Sequence, residues 1–233
     1  PDPVIVPYLG LFHELTDNIA VYASYTSIFN PVSASSLDVN GDPFDPDEGV
    51  SYEGGMKFRL ADDDLLASVA YFHTDQEKLT QWDMTQWVTR QGVVSKGIEA
   101  ELTGELRDGW NIAASYTYTD SENADGSRTT YMIPRHSVKL YSTYRLPGGW
   151  EGVTLGGGVV WQSPNGYDLS DSAYISQGSY AVVNAMARYD FSDGLSATLH
   201  VNNLFDKSYL VTSGSWGVYG APRNISLNLT SRF

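Results

Sequence analysis

The side chains with the chemistry to bind or react fall into three groups. Carboxylates cluster twice, at Asp42, Asp45, Asp47 and Glu48 and again at Asp62, Asp63 and Asp64. Such clusters can hold a hard cation. Here no EF-hand spacing is present, and Pro43 and Pro46 interrupt the first cluster, so solvated loops are the preferred reading. The four histidines, His13, His73, His136 and His200, are dispersed, and none has metal-ligand spacing. With no cysteine in the chain, neither a thiolate metal site nor a disulfide is expected. No serine, histidine and acid set stands out as catalytic. The third group is aromatic: Trp82 and Trp87, Tyr131, Tyr167 and Tyr174, then Trp216 and Tyr219. Flat rings give rigid contact area at low entropic cost, which suits a large, semi-apolar ligand. The competing reading is loop packing or an interfacial girdle.

The elements that carry these residues follow from strict alternation. In the last segment Ile225, Leu227, Leu229 and Phe233 share one face, and Asn224, Ser226, Asn228, Thr230 and Arg232 share the other. A period of two reads as a strand with one apolar face. The pattern repeats in Ala181 to Phe191, in Leu195 to Asn202, in Val138 to Leu146 and in Ile98 to Thr103. About eleven strands are predicted, over 4–15, 19–29, 50–60, 65–76, 92–106, 110–120, 136–146, 153–162, 180–191, 195–204 and 223–233.

The polar face places Glu53, Lys57, Glu99, Glu101, Arg145, Arg188 and Arg232 in mid-strand or near strand ends. A packed soluble core would not tolerate such charges unpaired, whereas a water-filled lumen does. Connections alternate between short and long. The short ones are Thr16-Asp17-Asn18, Ala61 to Asp64, Arg107-Asp108-Gly109, Pro147-Gly148-Gly149 and Ser192-Asp193-Gly194; the long ones are 30–49, 77–91, 121–135, 163–179 and 205–222. Short turns on one rim and long loops on the other is the layout of an outer-membrane barrel. The expected fold class is therefore all-β, a transmembrane antiparallel β-barrel wall. An odd strand count with Phe233 on the short-turn side leaves the first strand starting on the long-loop side. Single-chain barrels normally have even counts and both ends on one side, so residues 1–233 are expected to be one incomplete barrel domain.

Composition agrees. A net charge of -14 repels phosphate backbones, so nucleic acid is not an expected partner. Mean hydropathy is -0.27 and no apolar run reaches the ~20 residues of a membrane helix, but a barrel strand hides its apolar residues at alternate positions. The chain opens on Pro1-Asp2-Pro3 without a signal peptide, which suggests removed or missing sequence before it.

Several segments resemble the C-terminal part of TonB-dependent siderophore receptors. Asn202-Asn203-Leu204-Phe205-Asp206-Lys207-Ser208-Tyr209 resembles that family's NNLFDKxY stretch, and Tyr219-Gly220-Ala221-Pro222-Arg223-Asn224 its YGxPRN stretch. Leu229-Thr230-Ser231-Arg232-Phe233 resembles its aromatic-ended final strand, and Ser95-Lys96-Gly97-Ile98-Glu99 its SKGxE strand. The run from Ile19 to Phe29, followed by Asn30-Pro31 and by Asp45-Pro46-Asp47-Glu48-Gly49, resembles its LYASYTxIFxPQ…LDPExG region. The motifs span nearly the whole chain in the family's order, and look most like the hydroxamate and pyoverdine-type subgroup.

The resemblance implies a barrel of about 22 strands filled by an N-terminal plug, of which this chain is the C-terminal half without the plug. It implies binding of a ferric siderophore at extracellular loops and import driven through TonB, in the outer membrane of a Gram-negative bacterium. Trp82, Trp87, Trp216 and Tyr219 are the candidate ligand contacts. No bond chemistry and no resident cofactor are implied; iron arrives as cargo. Expected partners are the siderophore, TonB through the missing N-terminal region, the plug and first half of the barrel, and outer-membrane lipid. The barrel-assembly machinery joins them, because terminal Phe233 resembles the signal it reads. The polar-face charges would pair with the plug, across strands or with water. Rival readings are a passive porin, which a plug would exclude, an outer-membrane enzyme, and a soluble β-sandwich.

Overall fold

The computed structural model describes residues 4–61, 64–82, 86–128, 133–170, 173–213 and 216–232. Its strands in chain order are β1 (Tyr8–Thr16), β2 (Ile19–Asn30), β3 (Asp47–Leu60), β4 (Leu65–Trp82), β5 (Trp87–Arg107), β6 (Trp110–Glu122), β7 (His136–Arg145), β8 (Val153–Gln162), β9 (Asn165–Ser170), β10 (Ala173–Gln177), β11 (Tyr180–Ser192), β12 (Leu195–Asn202), β13 (Leu210–Ser213), β14 (Trp216–Tyr219) and β15 (Asn224–Ser231). Eleven of them form one antiparallel sheet in the order β1-β2-β3-β4-β5-β6-β7-β8-β11-β12-β15. Each strand expected from alternation has its counterpart in this sheet. The sheet is not closed: β1 and β15 are its edges. Among the described residues no helix is long and apolar enough to cross a membrane.

Register sorts the side chains into two faces. One row across eight strands reads Ile19, Phe58, Ala67, Leu102, Ala114, Leu140, Val159, Val183. The row one residue away reads Ala20, Lys57, Ser68, Glu101, Ser115, Lys139, Val160, Val182. The first face is apolar throughout and the second carries the charges, as alternation requires. Among the described residues no second layer covers the apolar face. Among the described residues only Leu65, Ala70, Val93 and Tyr180 are buried apolar side chains, while Leu11, Val69, Ile98 and Leu229 stand exposed. A soluble chain of this length builds a core. A single sheet with a continuous exposed apolar face contradicts the soluble β-sandwich.

The short turns explain the tight rim. Thr16↔Ile19, Arg107↔Trp110 and Ser192↔Leu195 each close a two-residue turn, and each follows a one-residue register shift. Asp17, Asp108 and Asp193 open these turns, and the bulge beside each one increases local twist. Glycine is required where strands approach closely. A Cβ on Gly97 would lie 2.0 Å from the Tyr118 carbonyl oxygen and 2.5 Å from the Phe72 ring.

The long-loop side differs from expectation. Segment 77–91 is no open loop: β4 and β5 continue their ladder to Trp82↔Trp87, leaving a four-residue tip. Thr80, Val88 and Thr89, with tryptophans at the end, favour strand. Two other long connections, 163–179 and 205–222, also hold structure, as the β9–β10 and β13–β14 hairpins. At the other end β1 begins at Tyr8 rather than residue 4. Pro7, which has no N–H for a ladder, precedes it. Strand β12 stops at Asn202 because Asn203 turns to φ 52.

Candidate functional site

The long-loop rim is where an external ligand would be met. The longest strands of the sheet form the β4–β5 hairpin at this rim. Two contacts tie the hairpin to the 31–46 connection and the start of β3. Lys78 Nζ donates to Asp45 Oδ2 at 3.0 Å, and the Thr80 amide donates to Asp47 Oδ1 at 2.7 Å. The first acidic cluster thus acts as an anchor for the hairpin. Nearby, Asp38 accepts from the amides of Asn40 and Asp42 at 2.8 and 2.9 Å. These bonds, the Asp42 amide foremost, hold its carboxyl below the ordinary aspartate range. Among the described residues no group of three or more His, Asp or Glu side chains assembles that could hold a metal. Asp62 and Asp63 of the second cluster lie outside the described residues.

The last long connection is built on a polar latch. Asn203 is 3% exposed and sits at φ 52. Its Nδ2 donates to the carbonyls of Lys207 and Ala221 at 2.9 and 3.0 Å, and its Oδ1 accepts from the Lys207 amide at 2.8 Å. Its own amide donates to Asn184 Oδ1 at 2.9 Å, which fixes the latch to β11. Asp206, also at φ 52, accepts from the Arg223 amide at 2.8 Å. Asn is one of the few residues that tolerate a left-handed backbone, and Asp is another. Tyr209 stacks on Tyr180 with centroids 4.6 Å apart, and the Gly220 amide donates to its carbonyl at 2.9 Å. A Cβ on Gly220 would lie 2.0 Å from that ring, so only glycine lets the chain pass. The two family-like motifs at 202–209 and 219–224 are therefore one interlocked structure. From it the β13–β14 hairpin projects, tied to its neighbour by the Leu210 amide donating to Gln177 Oε1 at 2.7 Å.

The predicted ligand contacts fall on two hairpins. Trp82 and Trp87 are register partners at the β4–β5 tip; Trp87 is half-buried, and the Trp82 side chain lies outside the described residues. Trp216 and Tyr219 lie on β14, opposite Ser213 and Leu210. Tyr219 is 74% exposed, and the Trp216 side chain lies outside the described residues. Strands β6, β7, β8 and β11 lie between the two hairpins in the sheet. Tyr131 and Phe233 lie outside the described residues, as do the side chains of Tyr167 and Tyr174. Sequence reasoning did not single out Asn203, Asp206 or Gln177 as individual residues. The signal for the first two was available, as a motif rich in residues that favour turns.

The charged face has its own pattern. Tyr22 Oη donates to Glu53 Oε1 at 2.6 Å, and Lys57 Nζ lies 5.2 Å from the Tyr22 ring centroid. Arg145 and Arg188 both reach Asp190, at 3.7 and 2.7 Å. Glu99 and Glu101 form no ion pair among the described residues.

Comparison with known proteins places this arrangement. Residues 2–204 match the family described as TonB dependent receptor-like, beta-barrel. The chain is 45% identical over 231 residues to the ferric-pyoverdine BN7/BN8 receptor of Pseudomonas putida, covering 99% of this chain and 28% of that protein. It is 35% identical over 238 residues to the ferripyoverdine receptor of Pseudomonas aeruginosa, covering 94% and 29%. The crystal structure of the outer-membrane ferripyoverdine receptor of that species, bound to ferripyoverdine, superposes with a TM-score of 0.85 at 34% identity, covering 97% of this chain and 32% of that one. The chain thus spans under a third of the curated relatives it matches. Eleven meandering strands with opposed apolar and charged faces, matched over most of their length by this family, establish that the chain belongs to the TonB-dependent receptors as part of their β-barrel.

Proposed function

We propose that this chain is wall of an outer-membrane receptor that binds a ferric siderophore of the pyoverdine or hydroxamate type and imports it with energy supplied through TonB. One observation carries the reading: the likeness to ferripyoverdine receptors runs through nearly the whole chain, long-loop hairpins included. The apolar face meets lipid and the charged face meets the lumen. Trp82, Trp87, Trp216 and Tyr219 contact the chelate from two hairpins. Glu99 and Glu101 are available to basic groups of a plug held by the rest of the polypeptide. Iron is cargo, and the protein binds and moves it without making or breaking covalent bonds. Phe233 serves barrel assembly. The test is growth of an iron-starved, receptor-null strain carrying the full-length protein, fed a panel of ferric pyoverdines and hydroxamates. Rescue by at least one is expected; failure with all of them refutes the assignment.

A further inference from the structure

On the apolar face, beside the short-turn rim, one cation is held in place by aromatics. The Arg107 guanidinium lies 5.1 Å from the Trp110 ring centroid and 5.7 Å from that of Tyr144. Trp110 and Tyr144 face each other edge-on at 6.2 Å, and Trp110 Nε1 donates to Ser142 Oγ at 2.8 Å. Register puts Trp110 and Tyr144 in one row with Leu155, Ala187, Leu199 and Leu227, so the assembly looks outward. Arg107 is exposed and has no ion pair with any described carboxylate, Asp108 beside it and Asp64 on the neighbouring turn included. Other arginines differ: Arg59, Arg145 and Arg188 in the sheet, and Arg135 just before β7, each reach an acid.

Further along the same strands the outward face holds a groove of about 370 Å³, whose lining includes Phe58, Val69, Leu102, Tyr116, Val138 and Leu140. It begins around Ala114, four residues beyond Trp110 on β6, or about 13 Å at the rise of a strand. A cation with no acid partner among the described residues, at the edge of an apolar face and in line with an apolar groove at that distance, matches an anionic head above an acyl chain. A guanidinium is suited to phosphate, and aromatics orient it without neutralising it.

We propose that Arg107, Trp110 and Tyr144 form the headgroup end of a phospholipid site on the short-turn leaflet, with the phosphodiester on Arg107 and one acyl chain in the groove. The inference needs only that the apolar face meets lipid; it does not depend on which siderophore is carried, so it and the growth assay can fail separately. Full-length receptor, delipidated in detergent, is titrated with phosphatidylglycerol and read by native mass spectrometry. Wild type retains one lipid, and Arg107→Gln lowers that occupancy roughly tenfold. Arg145→Gln, at the same rim but on the charged face, leaves it unchanged. Diacylglycerol, with the same chains and no phosphate, is not retained by wild type. The proposal is overturned if Arg107→Gln holds the lipid like wild type, if Arg145→Gln loses it equally, or if diacylglycerol is retained as well as phosphatidylglycerol. Should Arg107→Gln not fold, the diacylglycerol comparison and Arg107→Lys, expected to bind less than wild type, decide the matter.

Discussion

Single residues matter most where the chain leaves the sheet. Asn203 satisfies four backbone or amide partners in a nearly closed environment, at a backbone angle that alanine resists. Asn203→Ala would leave the Lys207 amide and two carbonyls without their partner, at a cost of about 2–3 kcal/mol. The expected readout is a lower temperature of conversion from the heat-modifiable to the unfolded band of the full-length protein. Asn203→Gly relieves the backbone but not the lost bonds, so it should fall between the two. A ligand contact behaves differently. Trp87, a proposed ligand contact, closes the end of the β4–β5 ladder, and Trp87→Ala should weaken ferric-siderophore binding by about tenfold, as measured by titration. Unchanged affinity would return Trp87 to a packing role.

At the scale of elements, the β4–β5 hairpin stands on unequal supports. The Lys78–Asp45 pair is exposed, and pairs of that kind contribute little to stability. The Asp47 carboxylate instead accepts from a backbone amide beside the ladder. Asp47→Ala should therefore speed hydrogen exchange at the Thr80 amide, whereas Asp45→Asn should hardly change it; the reverse order would contradict this assignment. The strands themselves were readable because alternation is set by the backbone. Residues such as Lys57 and Phe58 point to opposite faces whatever surrounds them. The hairpins were not readable, since 77–91 alternates poorly and its pairing depends on turn geometry at a tip of four residues. The candidate site was half legible. Aromatic residues marked the right connections, but nothing in their spacing told that Trp82 pairs with Trp87, or that Asn203 and Gly220 together hold the stem of the hairpin bearing Trp216 and Tyr219.

The whole molecule poses one physical problem. The sheet leaves β1 and β15 unpaired, and unpaired strand edges cannot stand in hydrocarbon. Further strands of the same polypeptide would pair these edges, consistent with the chain's spanning under a third of its relatives. The most direct test is electrophoresis of native outer membranes with peptide identification by mass spectrometry. Peptides of residues 1–233 should occur in a heat-modifiable band of roughly three and a half times 25.6 kDa, the size implied by the coverage of the relatives. A stable, membrane-inserted species of 25.6 kDa on its own would contradict the account.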